Sequence, residues 1–279
     1  MRKIIYLLLI IVLGSCSTEQ VEKEIVLDEF ADCRAVITNY DKSMIDPTTG
    51  FIQGDIFPDK ETFTKAYINT SDTEQGVSRL WTNNEVPFYL DVDLSNEKKN
   101  HILERIDYIE SKTNIDFIYF INREELLKLY KDGVHFRSPT NPFGGNGAHI
   151  GRQGGIQNLT LVNSSTDLVI DHEIFHTLGH EHEHTRPDRD LYITINWENV
   201  PINPFLRKQF EINDRGGVAC GNYDLESGMH YGSEVGRTRV AEELGLYSFL
   251  TIDGEVVPAP TKMSERDFEA NKILYPKKV

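Results

Sequence analysis

The chain is 279 residues long, 39% hydrophobic, and carries a formal net charge of −15. Its hydrophobic content excludes wholesale disorder, and its length allows one large domain or two small ones. The acidic balance and the lack of a basic patch exclude nucleic acid as a partner, since phosphate binding needs concentrated Lys and Arg.

At the N-terminus, Arg2 and Lys3 precede an apolar run from Ile4 to Leu13. That run is shorter than the roughly 20 residues needed to cross a bilayer, so residues 1–15 are expected to be a signal peptide. Leu13-Gly14-Ser15-Cys16 resembles the bacterial lipobox, in which the Cys is lipidated and becomes the first residue after cleavage. Cys16 is therefore the expected lipidation site and membrane anchor, and the acidic stretch from Ser17 to Glu24 its tether. Ser17 after that cysteine resembles an outer-membrane sorting signal; an ordinary secreted form is the alternative. Cys33 and Cys220 are the remaining cysteines, free to pair in an oxidising compartment.

Residues 25–71 hold few regular apolar runs and several breakers, among them Pro47, Gly50, Gly54 and Pro58. Asp55, just after Gly54, reads by itself as part of a turn. Alternation from Val86 to Leu94 predicts a strand, and Ser95 caps a helix over 96–112 whose Ile102, Ile106 and Ile109 share one face. A strand at 115–121, a short helix at 123–130, a Gly- and Pro-rich loop at 138–145 and strands at 149–152 and 156–162 come next. Asp167 to Leu178 predicts a helix burying Leu168, Ile170, Phe175 and Leu178. Beyond it, a strand at 192–195 and a helix at 265–274 capped by Ser264 complete the pattern.

The chemistry concentrates on the helix at 167–178 and the histidine-rich segment after it. His172 and His176 stand four residues apart, so both imidazoles leave one helix face and can share a metal ion. Glu173, beside the first, is a carboxylate able to take a proton from water activated by zinc. Gly179 accepts the left-handed conformation that ends a helix, allowing the chain to turn and return His182 as a third ligand. His180 and His184 are alternatives to His182 in principle. His180 has too little chain to come round and His184 overshoots, so both are expected at exposed or supporting positions.

His-Glu-x-x-His-x-x-Gly-x-x-His, complete over 172–182, resembles the metzincin signature. Metzincins also carry a methionine turn beneath the metal, and Ser227-Gly228-Met229-His230-Tyr231 matches it. Met229 then fills the apolar floor, and Tyr231 can ligate the metal at rest before donating a hydrogen bond to an oxyanion. The continuation from His182 to Asp190, and Tyr192 to Asn199, resembles one metzincin family, the astacins. The resemblance covers roughly residues 77–276.

Membership of that family implies an α+β fold of two subdomains, with a mixed sheet, a zinc-site helix and an active-site cleft between them. It implies one catalytic Zn2+ held by His172, His176, His182 and, at rest, Tyr231. It implies Glu173 as general base and then acid, acting on a protein or peptide substrate. The strand near Ile156 to Leu161 is expected to pair with that substrate. Phe51-Ile52-Gln53-Gly54-Asp55 is similar to the family's pro-segment motif, whose Asp ligates zinc and keeps the enzyme latent; Ile52 departs from the motif's Phe. The chain thus divides into a signal peptide (1–15), a tether and inhibitory pro-segment (16–71) and a metallopeptidase domain (72–279). After cleavage near residues 70–78, the family buries the new N-terminus beside the residue matching Glu183. Arg237 and Arg239 are candidates for a basic specificity pocket. The competing expectation is a surface binding or adhesion lipoprotein that keeps the fold without catalysis; oligomeric state stays open.

Overall fold

The computed structural model describes residues 56–57, 80–141, 144–212 and 222–278. The proposed signal peptide, Cys16, Cys33, Asp55 and Cys220 lie outside these residues. Among the described residues no helix is long and apolar enough to cross a membrane.

A four-stranded parallel sheet organises the first half. Its strands are β2 (Glu85–Leu90), β3 (Asp116–Phe120), β4 (Gly133–Arg137) and β6 (Ile156–Thr160), in the order β3-β2-β4-β6. Alternate residues Val86, Phe88, Leu90, Val134, Phe136 and Leu159 are buried in one core. On that face lie helices α1 (Asn96–Lys112) and α3 (Asp167–Thr177). Ser95 accepts Lys98 N–H to cap α1, and Ile102, Ile106 and Ile109 all turn inward. Ile170, Ile174, Phe175 and Leu178 do the same from α3, while Leu168 is only partly buried. Arg105 of α1 binds Asp171 of α3 at 2.8 and 2.6 Å through two guanidinium nitrogens, a bidentate bond fixing one helix against the other. Short helix α2 (Arg123–Leu129) buries Leu126.

One sequence expectation needs correction. The strand expected from Val86 to Leu94 ends at Leu90, because the chain turns at Asp91, whose carboxylate accepts Asp93 N–H at 3.0 Å. The strand near Ile156 to Leu161, expected to meet substrate, ends the sheet order as β6. It pairs with β4 on one side and bridges antiparallel to Gly147 through Thr160 on the other. Strand β5 (Ala148–His149) belongs to a separate two-stranded sheet, in which β1 (Ile56–Phe57) runs parallel to it.

A second, smaller core lies in the C-terminal half. Strands β7 (Ile193–Ile195) and β8 (Phe249–Thr251) pair antiparallel, and Ile193, Val200, Phe210, Tyr223, Phe249 and Val257 pack around them. Helices α4 (Pro204–Lys208) and α5 (Arg239–Glu243) are short, while α6 (Glu265–Leu274) begins with a capping box between Ser264 and Asp267. Tyr275, just beyond α6, donates its hydroxyl to Leu178 O at 2.9 Å, and Trp81 Nε1–H reaches Thr177 O at 2.8 Å. Both chain ends of the described domain thus clamp the last turn of α3.

Candidate metal centre

Helix α3 presents His172 and His176 on one face with ring centroids 4.5 Å apart. Gly179, at φ +102°, then turns the chain. Its N–H binds His176 O and the N–H of His180 binds Phe175 O, the paired bonds of a Schellman motif. The turn also sets a ligand, because His180 O, delivered by that motif, accepts Nδ1–H of His176 at 2.7 Å. His182 returns to the cluster with its ring centroid 4.7 Å from His176 and 5.2 Å from His172.

The three rings offer nitrogen atoms that all lie within 4.8 Å of one another. His172 Nδ1 faces Gly228 O at 2.8 Å. A carbonyl can only accept, so Nδ1 carries the proton in His172, as in His176, and Nε2 is left as a bare lone pair. His172 Nε2 and His182 Nε2 face each other at 3.3 Å. With two of the three imidazoles oriented by backbone carbonyls and their Nε2 atoms unprotonated, the trio is a donor set suited to zinc. Glu173, next on the helix, is only 2% exposed.

The methionine turn closes the floor. Met229 is 2% exposed within the larger core. Asp267 of α6 holds the turn by accepting Ser227 Oγ–H at 2.6 Å and Gly228 N–H at 2.8 Å. A side chain at Gly228 has no room, since its Cβ would run into Met263 Sδ and lie 3.0 Å from Met263 Cα. His230 donates Nδ1–H to Tyr231 O at 2.6 Å and accepts the Tyr223 hydroxyl at 2.7 Å. Burial lowers its pKa to about 4, keeping the ring neutral. Tyr231 is half-buried, its ring 4.8 Å from His182.

Neither spare histidine is exposed on the surface. His184 is wholly buried and stacks on Tyr231 at 4.1 Å, with 27° between the planes. His180 packs on Phe175, and burial lowers its pKa to about 4. Glu183 accepts Arg186 Nη1 and Asp224 N–H, both at 2.9 Å. Its burial outweighs these partners and pushes the carboxyl up to about 7. A cavity of about 100 Å³ opens beside it, lined among others by Arg186, Asp224, Arg266 and Asp267. Arg237 donates to Leu246 O and lies over the Tyr247 ring, whereas Arg239 is exposed and pairs with Glu243 along α5. Asp267 and the Arg105–Asp171 pair went unread in the sequence. The Ser264-x-x-Asp267 spacing signalled only a helix cap, and nothing local marks the second bond that the same carboxylate makes.

Residues 73–275 match the peptidase family described as Astacin. Zinc metalloproteinase nas-14 of Caenorhabditis elegans is 30% identical over 183 residues, which are 63% of this chain and 34% of that protein. High choriolytic enzyme 2 of Oryzias latipes is 36% identical over 133 residues, 46% of this chain and 45% of that one. The chain spans about a third to a half of the length of the first curated relatives it matches. High choriolytic enzyme 1, a hatching enzyme zinc-protease from the same fish, has a solved structure similar to this one, with a TM-score of 0.60 and 27% identity. That match covers 75% of this chain and 100% of the other.

Proposed function

Because the chain belongs to the astacin family of peptidases, we propose that it is a zinc-dependent endopeptidase made in a latent form. The observation that carries this reading is the convergence of His172, His176 and His182 beside a buried Glu173. His172, His176 and His182 would hold the ion, with Tyr231 completing the set at rest. When bound there, zinc lowers the pKa of water and polarises a carbonyl. Glu173 takes the proton of the attacking water and returns it to the leaving amine. Tyr231 donates its phenolic O–H to the oxygen of the scissile carbonyl as negative charge develops. An extended peptide pairs along β5 by strand addition, its side chains alternating into the cleft.

Latency rests on Asp55. The two residues after it form β1, which runs along β5, and Gly151, two positions beyond β5, donates its N–H to His176 O. A segment lying there occupies the edge that substrate needs, with Asp55 immediately upstream to engage the histidine cluster. Removal of the pro-segment, residues up to about 71, frees the edge, and a family match that starts at residue 73 agrees with that division. The cavity beside Glu183 is suited to the new terminal ammonium, because Glu183, Asp224 and Asp267 all line it. Anchoring through lipidated Cys16 would hold the enzyme at a membrane surface.

The full chain and a protease-trimmed form, each incubated with a peptide library, test this reading. Cleavage is expected only after trimming, should vanish with a zinc chelator and should return with added zinc. Cleavage insensitive to the chelator, or none by the trimmed zinc-loaded form, would overturn it.

A further inference from the structure

His184 is an odd residue to bury. Its ring has no exposed surface, and Nε2 lies 2.9 Å from Gln209 O. The carbonyl can only accept, so the proton sits on Nε2 and Nδ1 is a bare acceptor. Nδ1 is buried as well, and no hydrogen-bond partner for it is found among the described residues. A phenyl ring would fill the same space without the unpaired Nδ1 but would forfeit the bond to Gln209 O, so that bond is what the imidazole adds. Retaining the imidazole therefore needs an explanation outside packing.

The surroundings supply one. The face of His184 stacks on Tyr231 at 4.1 Å, and its other ring neighbours include Phe210 at 5.8 Å and His182 at 5.3 Å. The bond from Nε2 to Gln209 O fixes the plane of the plate, since an imidazole held at one ring nitrogen cannot rotate about χ2 without losing it. Gln209 and Phe210 are themselves pinned, because Arg189 Nη1 donates to Phe210 O at 2.8 Å and to His184 O at 2.9 Å. Arg189 is 3% exposed, so this clamp is shielded from water. A rigid plate thus lies under an aromatic ring that also approaches His182.

We propose that His184 is a positioning residue for Tyr231: a flat, hydrogen-bonded platform that holds the phenol ring in the plane from which it reaches the three-histidine cluster. This rests on the proposed role of Tyr231 and adds the device that supports it. The platform lets the phenol slide across a stacked face while resisting rotation out of it, and its anchor at Gln209 couples the ring to the loop after α4. A leucine in its place would fill the space and leave the phenol unrestrained.

Hydrolysis by the trimmed, zinc-loaded protein is compared for wild type, H184L, Y231F and the double variant. Tyrosine-ring NMR signals are recorded alongside, with Tyr231 assigned by its loss in Y231F. H184L is expected to lower kcat about tenfold, with KM within about twofold and zinc content unchanged. In the Y231F background the same change should alter kcat by less than about twofold, because the two residues act as one unit. The Tyr231 ring signals should shift as the stacked imidazole is removed. Equal losses in both backgrounds, or unshifted Tyr231 signals, would overturn the proposal. If H184L does not fold, H184F keeps the volume and the flat face but loses the bond to Gln209. It should then show a smaller kcat loss, again only when Tyr231 is present, and equal losses with and without Tyr231 would count against the platform. A Y231F variant with unchanged kcat refutes the underlying role of Tyr231 instead, and the ring signals in H184L or H184F then decide the platform by themselves.

Discussion

Asp267 accepts the N–H of Gly228 at 2.8 Å, and the carbonyl of the same glycine accepts Nδ1–H of His172 at 2.8 Å. A residue on the last helix is therefore two hydrogen bonds from a residue of the histidine cluster. Asp267→Ala removes the acceptor for Ser227 Oγ, Gly228 N and Ser264 N together. Zinc affinity should fall about 10- to 100-fold, measured by competition with a chromogenic chelator. Gly228→Ala should do the same by a different route, since its Cβ displaces the turn from Met263.

Far from the chemistry, Arg105 and Asp171 bear on stability. Asp171 is 2% exposed, and burial pushes its carboxyl up even though Arg105 binds it through two nitrogens. Arg105→Met leaves that carboxyl buried without its bidentate partner, and should cost about 3–5 kcal/mol in urea unfolding. Adding Asp171→Asn should recover part of the loss, because a neutral amide is cheaper to bury than an unpaired carboxylate.

The histidine cluster was more legible in the sequence than the means that hold it. His172, His176, Gly179 and His182 follow from helical spacing and one helix-ending glycine, and the structure brings these histidines together. Ile102, Ile106, Ile109 and the Ser95 cap were readable for the same reason, since local periodicity and capping are written in neighbouring residues. Strand β4 was missed because only Val134 and Phe136, both core residues, alternate there with Gly133, His135 and Arg137, too short a run to stand out. The order β3-β2-β4-β6 was not legible, because strand order is a property of pairing and leaves no mark on one strand. Asp267, Arg105 and His184 act on partners far along the chain, from Gln209 for His184 to Asp171 for Arg105, where sequence spacing carries no information.

Acid stability should depend in part on His135. Its ring stacks on Tyr89 at 4.4 Å and lies 3.0 Å from Asp91, yet burial lowers its pKa despite that carboxylate. The unfolded chain therefore binds a proton more readily than the folded one. This contribution is intact above about 6.5, the unfolded pKa, and is lost as pH falls from there toward the lower folded pKa. Unfolding free energy measured across that window should slope downward on acidification, and the slope should lessen in His135→Gln. An unchanged slope would assign the effect to other groups.

Asp55→Ala tests latency without a protease. If Asp55 occupies the cluster from the start of β1, the untrimmed variant should cleave peptide about tenfold or more faster than the untrimmed wild type. The trimmed forms of both should be equally active. Equal rates before trimming would place the block elsewhere in the pro-segment.

Glu173 is assigned to move the proton while the three histidines hold the ion, and one substitution separates these roles. Glu173→Gln changes the proton acceptor and keeps the shape. In the trimmed, zinc-loaded protein it should retain one zinc per chain and lower kcat for peptide cleavage by about a thousandfold or more. A variant that keeps its zinc and cleaves at close to the wild-type rate would contradict that assignment.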